Sequence, residues 1–199
     1  MAEVTTWLIF QNAQELDEFH ASWTDADNIL AFDSAEAVSG SLGLSSFHTV
    51  TNRLRASDAL SNGALPPAGQ FMLLGVEVEV RGRWTGNPDG TRIVDVEAVV
   101  NGSVRADLGA GSLPIDTPGV FILGSAGNDM NLAPADLFDP SFGFQLRGES
   151  STTHFQGNVL RIDSVRFRVH WDDPPPPTGG GAARSRGRSR AVIMNGVHA

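Results

Sequence analysis

Between residues 71 and 100 the side chains alternate with a period of two, and this restricts the possible folds more than any other feature. Val76, Val78 and Val80 alternate with Glu77, Glu79 and Arg81. After Gly86-Asn87-Pro88-Asp89-Gly90, the residues Val94, Val96, Ala98 and Val100 alternate with Asp95 and Glu97. An extended strand turns successive side chains to opposite faces, so each run has one face for a core and one for water. The Gly/Asn/Pro/Asp cluster between them is turn chemistry, and the two runs predict a long hairpin.

The same reading extends along the chain. Asn101-Gly102 is a second turn and leads into a strand over residues 104–108, and residues 119–123 form another short apolar run. Phe142, Phe144 and Leu146 alternate with Gln145 and Arg147 behind Asp139-Pro140. In the last strand Val165, Phe167, Val169 and Trp171 share one parity, whereas Leu160 and Ile162 share the other. A change of parity near Asp163 implies a β-bulge, or a twist that carries the strand between sheets. Many short alternating strands with turn-rich links predict an all-β antiparallel sandwich or jelly roll. Residues 1–22 read differently, as an N-terminal arm: a short strand ending at Phe10, then a helical turn or two capped by Asn12. Glu15 takes the capping-box position there, and Leu16 and Phe19 share one face. The sandwich domain covers residues 23–173.

Composition changes sharply after Asp173. All 23 acidic residues lie at or before it; the ten arginines there leave the body at −13, while Arg184, Arg186, Arg188 and Arg190 give the tail +4. Residues 174–199 read as a polyproline stub, a Gly-rich hinge, a basic run and the apolar hook Val192-Ile193-Met194. The hook reads either as a docking element for a partner, for instance by strand addition, or as a plain disordered tail. An acidic body argues against nucleic-acid binding by that body. The chain has no cysteine, which excludes disulfides, thiolate metal sites and cysteine nucleophiles. No stretch approaches the length of a membrane span, and the first residues lack the basic, apolar and small-residue regions of a secretory signal.

Catalytic motifs are missing. There is no P-loop and no GxGxxG, and Leu123 takes the first-glycine place before Gly124-Ser125-Ala126-Gly127, which defeats a nucleophile elbow. His20, His48, His154, His170 and His198 form no metal-binding pair. Glu77, Glu79 and Glu97 could line one face of the predicted hairpin as glycosidase acids, although acids on a wet strand face are ordinary. Asp25, Asp27 and Asn28, and likewise Asp136 and Asp139, offer oxygen ligands for calcium, but without the EF-hand pattern; such clusters also cap turns. Trp84 and Phe155 are the candidate glycan-facing aromatics, Trp23 is a further candidate stacking platform, and Trp171 continues a core face. Asn101-Gly102-Ser103 reads as a turn. No cofactor is expected.

Three landmarks then carry a family resemblance: Trp23 with Asp27-Asn28; the strand Leu74-Gly75-Val76-Glu77-Val78-Glu79-Val80-Arg81; and Leu132-Ala133-Pro134-Ala135-Asp136-Leu137 with Asp139-Pro140-Ser141-Phe142-Gly143-Phe144, closing on Ile162 to Trp171. In this order they resemble a β-sandwich module that recurs in virion proteins of tailed bacteriophages. The resemblance implies a non-enzymatic part of a head, neck, tail, fibre or baseplate, made in the host cytoplasm and incorporated in the virion. It implies contacts with other virion proteins and homo-oligomers, with no membrane partner. The sequence departs from the module after Trp171, where a Pro/Gly linker and basic hook follow; that extension suggests attachment to a larger lattice, with the tail arginines and Val192, Ile193 and Met194 docking on a neighbour. A carbohydrate-binding or receptor-recognition module is the alternative, and a glycan-cleaving enzyme the third reading.

Overall fold

The computed structural model describes residues 2–43, 49–60, 64–87, 91–151 and 157–174. Among the described residues eleven strands run in chain order: β1 (Glu3–Val4), β2 (Ile9–Leu16), β3 (Trp23–Thr24), β4 (Ala37–Ser39), β5 (Arg53–Leu60), β6 (Met72–Thr85), β7 (Arg92–Val100), β8 (Ser103–Gly111), β9 (Gly119–Ser125), β10 (Gly143–Ser150) and β11 (Val159–Asp172). They form two antiparallel sheets, β3-β4-β11-β6-β9 with β1 added on β11, and β2-β5-β10-β7-β8. The fold is an all-β sandwich. Strands β4 to β11 give each sheet four members in jelly-roll order, and every link among them crosses between sheets except β7 to β8.

That crossing corrects the hairpin expected over residues 71–100. β6 pairs with β11 and β9 in one sheet, whereas β7 pairs with β10 and β8 in the other. The two valine faces thereby look at each other across the core: Val76, Val78, Val80, Val94 and Val96 are all fully buried. Had the strands paired as neighbours, both faces would have lain side by side and needed a third element to cover them. Glu77 and Glu79 consequently stand on the outside of one sheet and Glu97 on the outside of the other, so they line no common face. The true hairpin joins β7 and β8, where Asn101 (φ 51°) and Gly102 (φ 72°) supply the left-handed pair of a two-residue turn.

Phe10, Phe142, Phe144 and Phe167 meet at the centre with ring centroids 5.0–6.3 Å apart. Phe10 belongs to β2, and β2 replaces the expected helix: residues Ile9 to Leu16 are extended and pair with β5. Glu15 caps no helix. Its Oε1 accepts from Asn52 Nδ2 at 2.7 Å and from the Trp23 amide at 3.0 Å. Residues 3–4 and 9–16 thus supply strands to both sheets, and the expected arm is built into the sandwich.

The parity change in the last strand is a bulge, and β11 stays in one sheet. The register shifts between Ile162 and Ser164, which inserts Asp163. Its Oδ1 accepts from the Ser34 amide at 2.9 Å, and its Oδ2 lies 3.1 Å from Arg81 Nε. Burial holds this carboxyl above its ordinary range, against the pull of Ser34 and Arg81. A carboxyl with a raised folded-state pKa binds its proton more tightly folded than unfolded. Its contribution is therefore complete below about pH 4 and is lost as the pH rises through the folded value. Asp163→Asn, which cannot ionise, should gain stability relative to the parent as the pH climbs from about 4 towards neutrality. Denaturant curves of both proteins across that range check this; a difference independent of pH would contradict it.

Candidate functional site: a polar groove across the five-stranded sheet

On β5, β7, β8 and β10 the residues of inward parity fill the core, so their neighbours form the outer face of the five-stranded sheet. Register does the assembling. Gln145 of β10 stands between Arg55 of β5 and Glu97 of β7, and Glu97 is opposite Asp107 of β8. One step along, Arg147 is opposite Asp95. Together Arg53, Asp95, Glu97, Asp107, Gln145 and Arg147 line an open pocket of roughly 110 Å³.

The side chains are fixed by one another. Gln145 Nε2 donates to Glu97 Oε2 at 2.6 Å, and its Oε1 accepts from Arg55 Nη2 at 2.8 Å. Arg53 Nε donates to the same Glu97 oxygen at 3.2 Å, while its Nη1 donates to Glu18 from the loop after β2. Arg147 Nη2 lies 3.6 Å from Asp95 Oδ2, and Asp107 Oδ1 accepts from the Gly109 amide at 2.8 Å. Burial lowers the Arg53 pKa, but bonding to Glu18 and Glu97 more than offsets this and holds it above the usual guanidinium value. Burial, then the charge of Arg53, lowers that of Arg55, yet a guanidinium remains charged at any physiological pH. The shielded Nε atoms of Arg55 and Arg147 have no hydrogen-bond partner among the described residues.

Of these residues, sequence reading singled out Glu97 alone. The structure corrects Trp84, the candidate glycan-facing aromatic: it is fully buried. Its even number continues the inward parity of Val76, Val78 and Val80, and a Cβ on Gly148 would come within 3.2 Å of its ring. Trp23 is also buried, its Nε1 donating to the Asn52 carbonyl at 2.7 Å. Phe155 lies outside the described residues, as do Arg184, Arg186, Arg188, Arg190, Val192, Ile193 and Met194. Asp25 sits at the start of a 3-10 turn over Ala26–Leu30 with φ 55°. Asp136 and Asp139 bind their own loop, accepting from the Ala133 amide (2.8 Å) and from Ser141 (2.8 and 2.6 Å). Among the described residues no group of three or more His, Asp or Glu is placed to hold a metal ion, and no helix is long and apolar enough to cross a membrane.

No protein-family model and no curated protein matches this chain. Similar solved structures include the CBM22-1 xylan-binding domain of Xyn10C from Paenibacillus barcinonensis, at TM-score 0.39 and 10% identity over 84% of this chain and 95% of that domain. Another is an exo-beta-agarase, at TM-score 0.36 and 13% identity over 85% of this chain and 24% of the agarase chain. This chain thus spans about a quarter of the agarase. Neither score reaches 0.5, so function has to be read from this chain's own surface.

Proposed function

We propose that this protein is a non-catalytic recognition module that binds a neutral polyhydroxylated ligand, a glycan, along the groove on its five-stranded sheet. The observation that carries this reading is the fixed row Arg55–Gln145–Glu97–Asp107, flanked by Arg53, Arg147 and Asp95. Guanidinium, amide and carboxylate groups present planar pairs of donors or acceptors, and sugar hydroxyls both donate and accept. Three guanidiniums balance three carboxylates, which suits a neutral ligand better than an ion. Because cross-strand bonds already hold the side chains, little rotamer freedom remains to be lost on binding. Hydrolysis needs one carboxyl kept as an acid and the other as base or nucleophile. Here Asp95 and Glu97 are each engaged by an arginine in an open groove, which favours binding over cleavage.

A glycan array followed by titration of any neutral hit tests this. Glu97→Gln and Arg147→Gln should each weaken binding about ten-fold or more. An array without neutral hits, or hits indifferent to both substitutions, would remove the reading; reducing-sugar release that depends on Asp95 or Glu97 would make the protein a hydrolase.

The second reading is an attachment part of a tailed-phage virion, with the tail as a tether to a neighbouring copy. The opposition of a −13 body and a +4 tail favours it, as do the landmarks running from Trp23 to Trp171. A tethered contact adds avidity without a larger interface. The two readings are compatible, since a particle needs both attachment and recognition.

A further inference from the structure

Phe19 is the most exposed large apolar residue described, at 90%, and its φ of 64° lies in the left-handed region. Bulky side chains rarely adopt that region, and backbone outliers of this kind cluster at functional positions. The loop holding it is tightly fastened. The Phe19 amide donates to Asp17 Oδ1 at 3.1 Å, and the amides on either side, of Glu18 and His20, donate to Asn52 Oδ1 at 3.1 and 2.9 Å. Asn52 is 2% exposed and bonded in turn to Glu15. The other exposed phenylalanines have company: Phe32 lies 4.1 Å below the Arg81 guanidinium, and Phe138 meets Phe71 edge-on at 6.4 Å. Phe19 meets neither a ring nor a guanidinium among the described residues. It is an apolar knob on a rigid mount, close in sequence to Glu15, Asp17 and Glu18; Arg53 already pairs with Glu18, which leaves Glu15 and Asp17 without a cationic partner among the described residues.

We infer that this knob is the docking point for residues 184–194 of a second copy of the chain. This rests on the tether reading above and names its receptor. The segment combines four arginines with Ala191-Val192-Ile193-Met194, so it matches the acids by charge and the ring by apolar contact, and an arginine can also stack on the phenyl face. Geometry favours a neighbour over the chain's own body. Trp23 pairs with Ser39, and Val38 with Arg161, so the Phe19 loop lies towards the start of β11, whereas the tail leaves from its end beyond Asp172. Twelve strand residues separate these levels, about 40 Å. The twelve residue steps from Asp172 to Arg184 span at most about 40–43 Å fully extended, so folding back would demand nearly all of that length. A neighbour placed head to tail brings the sites together, and such heterologous contacts build rings or filaments.

Sedimentation of full-length proteins tests this with two variants. Phe19→Asn removes the knob and relieves the backbone, so it should fold with Tm unchanged or raised by about 2 °C. The tail variant carries Arg184→Gln, Arg186→Gln, Arg188→Gln and Arg190→Gln. The parent should associate beyond dimers, each variant should weaken association at least ten-fold, and their equimolar mixture should stop at one-to-one heterodimers, having one intact knob and one intact tail. Loss of association in the tail variant alone would leave the tether standing and overturn Phe19 as its receptor. A monomeric parent, or association that neither variant alters, would overturn both.

Discussion

Trp84→Ala should lower the unfolding free energy by about 3–5 kcal/mol, the range for truncating a large aromatic in a packed core. Trp84 is fully buried where the two sheets meet, over Gly148 of β10 and beside Leu160 of β11, whose side chain also crowds Gly148. Removing the indole takes the filling from beneath both strands, and the sheets cannot collapse onto the space without breaking their registers. Denaturant unfolding should show a lower midpoint with an unchanged slope, and whatever protein remains folded should retain its groove. An exposed sugar-stacking ring would behave in the opposite way, leaving the midpoint alone and abolishing glycan binding. Trp84→Phe should recover part of the loss, because it keeps an aromatic filler and removes a buried Nε1 that has no partner among the described residues.

Strand positions were legible because alternation is a local property. Val76 to Val80, the Asn101-Gly102 turn and the parity break at Asp163 each needed only neighbouring residues to be read. Sheet membership was not, since Gly86-Asn87-Pro88-Asp89-Gly90 is equally good chemistry for a hairpin and for an arch between sheets. What decides is that both valine faces must be buried, a non-local demand. The N-terminal segment imitates a helix for a related reason. Leu16 and Phe19, three apart, imitate a helical stripe, yet Phe19 is exposed and Asn12 pairs with Ser57 in a sheet. The groove joins residues 53, 95, 97, 107, 145 and 147, and only three strand pairings make them neighbours. Trp84 was readable from parity alone.

Gly143→Val is the second large effect, with an expected loss of about 3 kcal/mol, the upper end of ordinary overpacking. A Cβ at this position would lie 2.0 Å from the Ala56 carbonyl oxygen and 2.9 Å from the Ser57 Cα. Both are backbone atoms of β5, so no side chain can swing aside; β5 and β10 must separate where Gly143 faces Ser57. The glycine between Phe142 and Phe144 is therefore fixed by close approach, while the aromatic rings beside it remain in the core. The same separation reaches the groove, because β5 carries Arg53 and Arg55 and β10 carries Gln145 and Arg147. Gly143→Val should accordingly weaken glycan binding as well as lower the denaturation midpoint, whereas Trp84→Ala should lower the midpoint alone. Measuring both quantities on both variants separates a groove that depends on the β5–β10 register from one indifferent to it, and equal binding in the two variants would count against the groove as the ligand site.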